Sequence, residues 1–207
     1  MITINVLSNL LFSAGFKDAE ETASALFERY HTLDGVLAAD AEALTEQVGE
    51  RAAVLIKLTA ALIARRAYDK FAFGVRHLPE EIIELLVALF RGRSVETLFL
   101  ISIDKNGAVV SCDPMSEGTI NATSILPRQL LERAVKNRAK SVIIAHNHPR
   151  GIETPSEEDV IFTSSVKNVL ECAGIELSAH YVVAGSQVAM ISKLTVLCGG
   201  TEALCRF

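Results

Sequence analysis

The spacing of apolar residues divides the chain into a helical first third and a mixed remainder. Within residues 1–70, apolar side chains recur at three- and four-residue intervals, which is the spacing of amphipathic helices. A turn is predicted at Asp34-Gly35, and Asp40 is placed as the N-cap of the next helix. This helix is expected to be short, through Leu44, and residues 48–52, which include Gly49, are expected to break it before a longer helix begins.

The spacing changes to that of strands after a short linker, predicted at residues 71–74. Pro79 suits the first turn of a helix with one apolar face. The apolar run at residues 96–104 predicts a buried strand, joined to a partner at residues 108–112 by a turn with the Asn-Gly signal. The elements predicted after these are a strand or irregular stretch at residues 121–124, a helix from Pro127, a strand at residues 142–145, a helix from Pro155 to residue 174, and strands at residues 175–177 and 181–185. Strands alternating with helices predict an α/β sheet covered by helices.

Candidate chemistry is concentrated at the end of the strand at residues 142–145. His146 and His148 are two residues apart, so on an extended backbone their imidazoles point to the same side. The loop that follows can bring Asp159, in the first turn of the next helix, to the same point. Two imidazoles and one carboxylate are the three ligands of a catalytic zinc site that keeps its fourth position for water.

A His-x-His pair alone is weak support for a metal site, because such pairs also occur on loops that bind nothing. The string His146-Asn147-His148 also invites comparison with HNH nucleases. In that class, however, the named residues are spread over a hairpin and a helix rather than consecutive. Asn147 is expected to point away from the histidines by strand alternation and to have a structural role.

Composition narrows the class of protein. The chain has 207 residues, of which 50% are hydrophobic and 22% charged, as in globular proteins. The formal net charge is −5, and residues 1–70 carry seven basic and ten acidic side chains, a balance of −3. This balance argues against a nucleic-acid partner. Four cysteines without a paired spacing, no signal-peptide pattern and no membrane-length apolar run predict a cytoplasmic protein with reduced thiols.

The motif H-N-H-P-x-G-x-x-x-P-S-x-x-D, at residues 146–159, resembles the metal-binding signature of the RadC-like branch of the JAB/MPN (JAMM) metalloprotease superfamily. Arg150 departs from it, since the family usually has a small residue there. The resemblance implies an α/β fold for residues 78–207, a mixed sheet flanked by helices of the cytidine-deaminase-like kind. It also implies a small all-helical, helix-hairpin-helix-like domain at residues 1–72.

The resemblance also implies roles for particular residues. One zinc ion per chain is expected on His146, His148 and Asp159, with Glu96 as the base that takes a proton from the attacking water. Glu117 is the rival base, since it also precedes a short segment. Ser156 has two readings, the N-cap of the Asp159 helix or a donor to the oxyanion of the tetrahedral intermediate. The roles considered for His180 are support of a metal ligand and a satisfied core histidine.

The leading functional hypothesis is a zinc metallopeptidase or isopeptidase acting on a protein or peptide substrate. One alternative is a DNA-binding or DNA-repair-associated protein, as the family name suggests. In the family's hairpin a Gly-apolar-Gly run lets backbone amides approach a phosphate, but Gln47 occupies the first glycine position here. The other alternative is a non-catalytic interaction module. No membrane partner is expected, and the oligomeric state stays open, with a homodimer as one option.

Overall fold

The computed structural model describes residues 2–117, 126–149 and 152–191, and its first four helices share a core of their own. The fully buried side chains Leu11, Leu26, Leu44 and Ile56 lie in this core. The helices are α1 (Ile2–Ser13), α2 (Ala19–Tyr30), α3 (Leu33–Ala38) and α4 (Ala41–Lys70). We refer to α1–α4 as the helical unit.

Local capping explains where α3 and α4 begin. Asp40 is the N-cap of α4, as predicted. Its carboxylate accepts hydrogen bonds from the backbone amides of Glu42 and Ala43. Gly49 interrupts α4 with φ 75° and ψ 162°, a conformation that favours glycine. The turn predicted at Asp34-Gly35 is wrong, because both residues lie in the first turn of α3. Asp34 suits the first turn of a helix as well as it suits a β-turn, because an acidic side chain is favourable near a helix N-terminus. The helix begins here because the Thr32 hydroxyl accepts from the Gly35 amide and caps it.

The second part of the chain is built on one five-stranded sheet. Its elements are α5 (Pro79–Phe90), β1 (Thr97–Ile103), β2 (Val109–Glu117), α6 (Pro127–Lys136), β3 (Ser141–Asn147), α7 (Glu157–Cys172), β4 (Glu176–Ala184) and β5 (Gln187–Met190). The strand order is β2-β1-β3-β4-β5. Strands β3 and β4 are parallel and the other neighbours are antiparallel. This confirms the expected mixed sheet flanked by helices.

Helices cover both faces of the sheet, which explains the near-continuous apolar runs of β1 and β3. Phe99 and Ile101 of β1 face the side covered by α5. Leu98 and Leu100 face the opposite side and pack in the cluster that includes residues of α6 and α7. Strand alternation therefore assigns each β1 side chain to one of two separate cores.

Some predicted elements differ from the structure or lie outside it. Two strands were predicted, at residues 175–177 and 181–185. The structure has one continuous strand there, β4, which also includes the residues between them. Its small and polar middle residues, such as Ala179, are held by pairing with β3. Strand β5 was not predicted. The stretch predicted at residues 121–124 lies outside the described residues. So do residues 194–207 and Arg150, the position that differs from the family motif. In the part that the structure describes, no helix combines the length and apolar character needed to cross a membrane.

The predicted linker at residues 71–74 is packed rather than loose. Phe71 and Phe73 pack against the cluster under α5, together with Tyr68 from the end of α4. The ring centroids of Phe71 and Phe73 are 5.3 Å apart, close to edge-on. The long helix α4 thus runs directly into the core of the second part.

Polar contacts also connect the helical unit to the segment between α5 and β1. The Lys57 Nζ donates to the carbonyl oxygens of Leu37, Ala39 and Gly92, at 3.0, 2.9 and 2.6 Å. Burial lowers the pKa of Lys57, an effect that nearby Asp40 opposes. The Arg91 guanidinium pairs with Asp34 of α3 at 2.6 Å. The backbone at Arg91 and Gly92 is therefore anchored to the helical unit.

Candidate metal centre

The end of β3 and the start of α7 bring three candidate ligands together. His146 and Asp159 are buried and His148 is half-buried, and their ligand atoms all lie within 4.8 Å of one another. The Nε2 atoms of His146 and His148 are 3.1 Å apart. Asp159 Oδ1 lies 3.1 Å from His146 Nε2, and Asp159 Oδ2 lies 3.5 Å from His148 Nε2. The structure therefore contains a His-His-Asp group that can hold a metal ion.

Hydrogen bonds orient both imidazoles through their other nitrogen. His146 Nδ1 lies 2.9 Å from His180 Nε2, and His148 Nδ1 lies 2.9 Å from the carbonyl oxygen of Ile152. A carbonyl can only accept, so His148 carries its proton on Nδ1. This arrangement leaves Nε2 of each ligand histidine directed at the shared point, as in protein metal sites whose ligands are oriented by surrounding groups.

His180 is a satisfied core histidine, and its contact with His146 is the geometry that the other role considered for it, support of a metal ligand, requires. It is 1% exposed, and its Nδ1 lies 2.6 Å from Thr163 Oγ1. The Thr163 hydroxyl donates to the carbonyl oxygen of Asp159 at 2.5 Å, so it must accept from His180 Nδ1–H. His180 Nε2 is then an acceptor for His146 Nδ1–H. Burial lowers the pKa of His180 to about 3, an effect reinforced by His146, which keeps the ring neutral in this chain of hydrogen bonds.

Ser156 and Asp159 form a reciprocal cap at the start of α7. The Asp159 amide donates to Ser156 Oγ at 3.1 Å, and the Ser156 amide donates to Asp159 Oδ2 at 2.8 Å. The Ser156 hydroxyl also donates to Oδ2 at 2.7 Å. Burial tends to raise the pKa of Asp159. Contacts with His146 and Ser156 outweigh this and hold the pKa well below its usual range, so the carboxylate is ionised at neutral pH.

The donor set fits zinc. Two neutral imidazole nitrogens and one carboxylate are ligands of the type found in catalytic zinc sites. Ligands about 2.0–2.1 Å from a tetrahedral ion would be about 3.3 Å apart. His146 Nε2 lies 3.1 Å from His148 Nε2 and 3.1 Å from Asp159 Oδ1, both close to that value, and His148 Nε2 lies 3.5 Å from the other carboxylate oxygen, Oδ2. The same donors also accept other divalent ions, so the group by itself does not select one metal.

Glu96, the expected base, lies outside this three-residue group, in the residue directly before β1. Its side chain is half-buried. Strand pairing brings its neighbourhood to the ligands, because Leu98 of β1 is the partner of His146 of β3. The rival Glu117 is the last residue of β2, where its backbone is paired with Thr97.

One group in contact with the candidate site, Thr163, was missed by sequence reasoning. Thr163 lies one helical turn after Asp159, so the four-residue spacing was an available signal for it. Asn147 was expected to point away from the histidines and to have a structural role, and its contacts with backbone atoms fit that role. In the structure its side chain binds the backbone on both sides of Glu96. Cysteine chemistry finds no support at Cys112, since burial, with a contribution from Asp113, raises the pKa of that thiol to about 12.

A cleft beside the ligands is bordered by both parts of the chain. Its lining includes His148 and Pro149 together with Arg91 and with Asp34 and Ala38 of the helical unit. A molecule that approaches His148 from this side would therefore also contact the helical unit.

Replacement of Thr163 by valine is expected to weaken zinc binding about 10- to 100-fold, the usual cost of losing a group that orients a ligand. Valine keeps the shape of threonine but leaves the buried Nδ1–H of His180 without its acceptor. Competition for zinc against a chelating indicator would measure the change. The matched control is Ser165→Ala, which removes an exposed hydroxyl bonded one turn back on the same helix. Equal affinity in the parent and the Thr163 variant would reject the role given to this hydrogen-bond chain.

Comparison with known proteins gives a consistent result over most of the chain. Residues 77–194 match the family described as RadC-like JAB domain. A UPF0758 protein of Herminiimonas arsenicoxydans, HEAR2468, is 31% identical over 175 residues, covering 83% of this chain and 78% of the relative. UPF0758 proteins of Chromobacterium violaceum and Halorhodospira halophila are each 32% identical, over 85% and 87% of this chain and 80% and 82% of their own length. These names state no activity.

Proposed function

The chain belongs to the RadC-like JAB domain family, and we propose that it is a zinc-dependent hydrolase that cleaves amide or isopeptide bonds in a protein or peptide. The observation that carries the proposal is the meeting of His146 Nε2, His148 Nε2 and the Asp159 carboxylate at one point. Each ligand is oriented by a second group of the protein, which is expected of a site built to hold an ion.

The residues divide the work of hydrolysis between them. His146, His148 and Asp159 would hold the zinc ion, which would lower the pKa of a bound water toward about 7. Glu96 is assigned the role of base, which accepts the proton of the attacking water and can return it to the leaving nitrogen. The sheet supports this role by pairing β1 with the strand that carries His146.

Ser156 is proposed to donate to the oxygen that becomes negative in the tetrahedral intermediate. Its hydroxyl proton is directed at Asp159 Oδ2 in this structure. For the oxyanion role the hydroxyl must turn from Asp159 to the substrate. The Ser156 and Asp159 amides are not involved in that rotation, so the cap bond from Ser156 N to Oδ2 would continue to hold Asp159.

The proposal is tested with the full chain loaded with zinc, on a mixed set of linear peptides and isopeptide-linked peptides analysed by mass spectrometry. We expect cleavage that is lost on chelation and restored by added zinc. The His146→Ala, His148→Ala variant, treated identically, should cleave nothing. Cleavage that persists after chelation, or in the variant, would contradict the proposal. So would metal-dependent cleavage of linear or branched DNA by a protein that leaves every peptide intact.

A further inference from the structure

We propose that Asn147, the residue between the two histidines, is a positioning residue that holds Glu96 at the metal centre. This inference rests on the proposed function, in which Glu96 is the base. Asn147 is the last residue of β3 and is only 3% exposed. A polar side chain this deeply buried needs hydrogen-bond partners, and the identity of its partners suggests the role.

Asn147 binds the backbone on each side of Glu96. Its Oδ1 accepts from the Thr97 amide at 2.8 Å, and its Nδ2 donates to the Val95 carbonyl oxygen at 3.1 Å. The orientation of the amide follows from these partners, because an N–H requires the oxygen and a carbonyl requires the NH₂. One side chain thus uses a donor and an acceptor to fix the residues immediately before and after the proposed base.

The clamp acts where regular strand pairing ends. The pairing of β1 with β3 begins at Leu98 and His146, so Glu96 lies beyond its last pair. The side-chain amide of Asn147 bonds to the backbone of Val95 and Thr97. It thus takes the place of the peptide group that a longer β3 strand would offer to β1. It therefore sets the backbone direction at a point that the β1–β3 ladder does not reach.

Fixing this backbone also sets the direction of the Glu96 side chain. Leu98 packs in the cluster that includes residues of α7, the helix carrying Asp159. Side chains two residues apart on an extended strand point to the same face. If the Asn147 clamp extends the strand conformation of β1 to Glu96, the Glu96 side chain points to the face of the sheet where His146 meets Asp159.

The other end of the segment that carries Glu96 is held by the helical unit. Arg91 is paired with Asp34, and the Gly92 carbonyl accepts from Lys57. Asn147 supplies the anchor nearest the reacting groups. If that anchor is removed, the segment stays tethered at Arg91 but its Glu96 end loses two hydrogen bonds. Displacement of a reacting group by about 1 Å can cost about 100-fold in rate.

The test uses the full chain with cobalt(II) in place of zinc, because its visible absorption bands report the surroundings of the ion without any need for a substrate. Glu96→Gln is the reference and should shift the bands. We expect Asn147→Leu, which lacks both hydrogen bonds, to produce a similar shift at unchanged metal content. Asn147→Ser is the second variant, for use if the leucine variant does not fold. The serine side chain is polar but too short to reach both the Val95 carbonyl and the Thr97 amide.

The matched control is Asn137→Leu, because Asn137 is the C-cap of α6 and its side chain binds β1 near the end that is far from Glu96. Asn137 is half-buried and its amide donates to Ser102 at 3.0 Å, to Ser111 at 2.7 Å and to Asp113 at 2.8 Å, so its loss also removes partly buried hydrogen bonds but does not touch the metal end. The control bands should match those of the parent. Bands unchanged in Asn147→Ser would overturn the inference, as would unchanged bands in Glu96→Gln, since Glu96 would then not be at the ion.

Kinetics give a second readout once a substrate is found. Asn147→Ser should lower kcat about 10- to 100-fold with little change in KM, and should cause no further loss in a Glu96→Gln background. Additive losses would mean that Asn147 acts independently of Glu96 and would overturn the inference. If the parent protein binds cobalt but cleaves no peptide, the proposed hydrolase activity is contradicted. The inference on Asn147 is still tested in that case, because the cobalt bands report the position of Glu96 without a substrate.

Discussion

We expect the purified chain to bind about one zinc ion and the His146→Ala, His148→Ala variant to bind none. The two imidazoles supply two of three ligands, and the remaining carboxylate of Asp159 cannot hold zinc by itself. Elemental analysis of protein purified without added metal, and again after zinc is supplied and excess removed, would measure the content. Zinc should also raise the unfolding temperature of the parent and leave that of the variant unchanged, since only the parent binds it in the folded state.

The control for this experiment is His31→Asn. His31 is exposed and lies at the end of α2 with φ 64°, a conformation that asparagine tolerates better than alanine does. It should bind as much zinc as the parent. Absence of metal from the parent after zinc is supplied would remove the basis for a metallohydrolase. A non-catalytic interaction module would then be the leading hypothesis.

The second large effect is expected for Glu96→Gln, which should keep its zinc and lose about 100- to 10,000-fold in turnover. Glutamine has nearly the shape of glutamate but cannot accept a proton, and Glu96 is not one of the three grouped ligands. The value of kcat/KM on a substrate identified in the peptide survey would measure the loss. Metal content is determined on the same samples.

The matched control is Glu158→Gln, an exposed carboxylate next to Asp159 in the first turn of α7. It removes one negative charge near the site and should leave turnover within about twofold of the parent, as expected for an exposed group. Full turnover by Glu96→Gln would reject Glu96 as the base. Glu117→Gln would then be the next variant, because Glu117 is paired with Thr97 at the same end of β1.

The ligand group could be predicted because its geometry is local. His146 and His148 share a side through strand alternation alone, and Asp159 comes from the next helix, only 13 residues after His146. The cap that starts this helix is also local, since Ser156 and Asp159 are three residues apart. Short-range rules of backbone geometry therefore led directly to the three residues.

Longer-range features were predicted less well. The role of His180 could not be decided between two alternatives, because its contact with His146 depends on the parallel pairing of β3 with β4. The middle of β4 was missed since its small and polar residues have little strand preference of their own. They are extended because β3 provides their hydrogen-bond partners.

The apolar pattern and the local motif were enough to establish an α/β chain with a helical first part and a His-His-Asp group. They succeed because helix and strand periodicity, helix caps and short loops depend on neighbouring residues. Only the tertiary structure decided what surrounds that group: the Thr163–His180 hydrogen bonds, the Asn147 clamp and the anchoring of Arg91 to the helical unit. These contacts join residues from 17 to 57 positions apart, and their partners are selected by sheet pairing and core packing, which leave no periodic trace in the sequence.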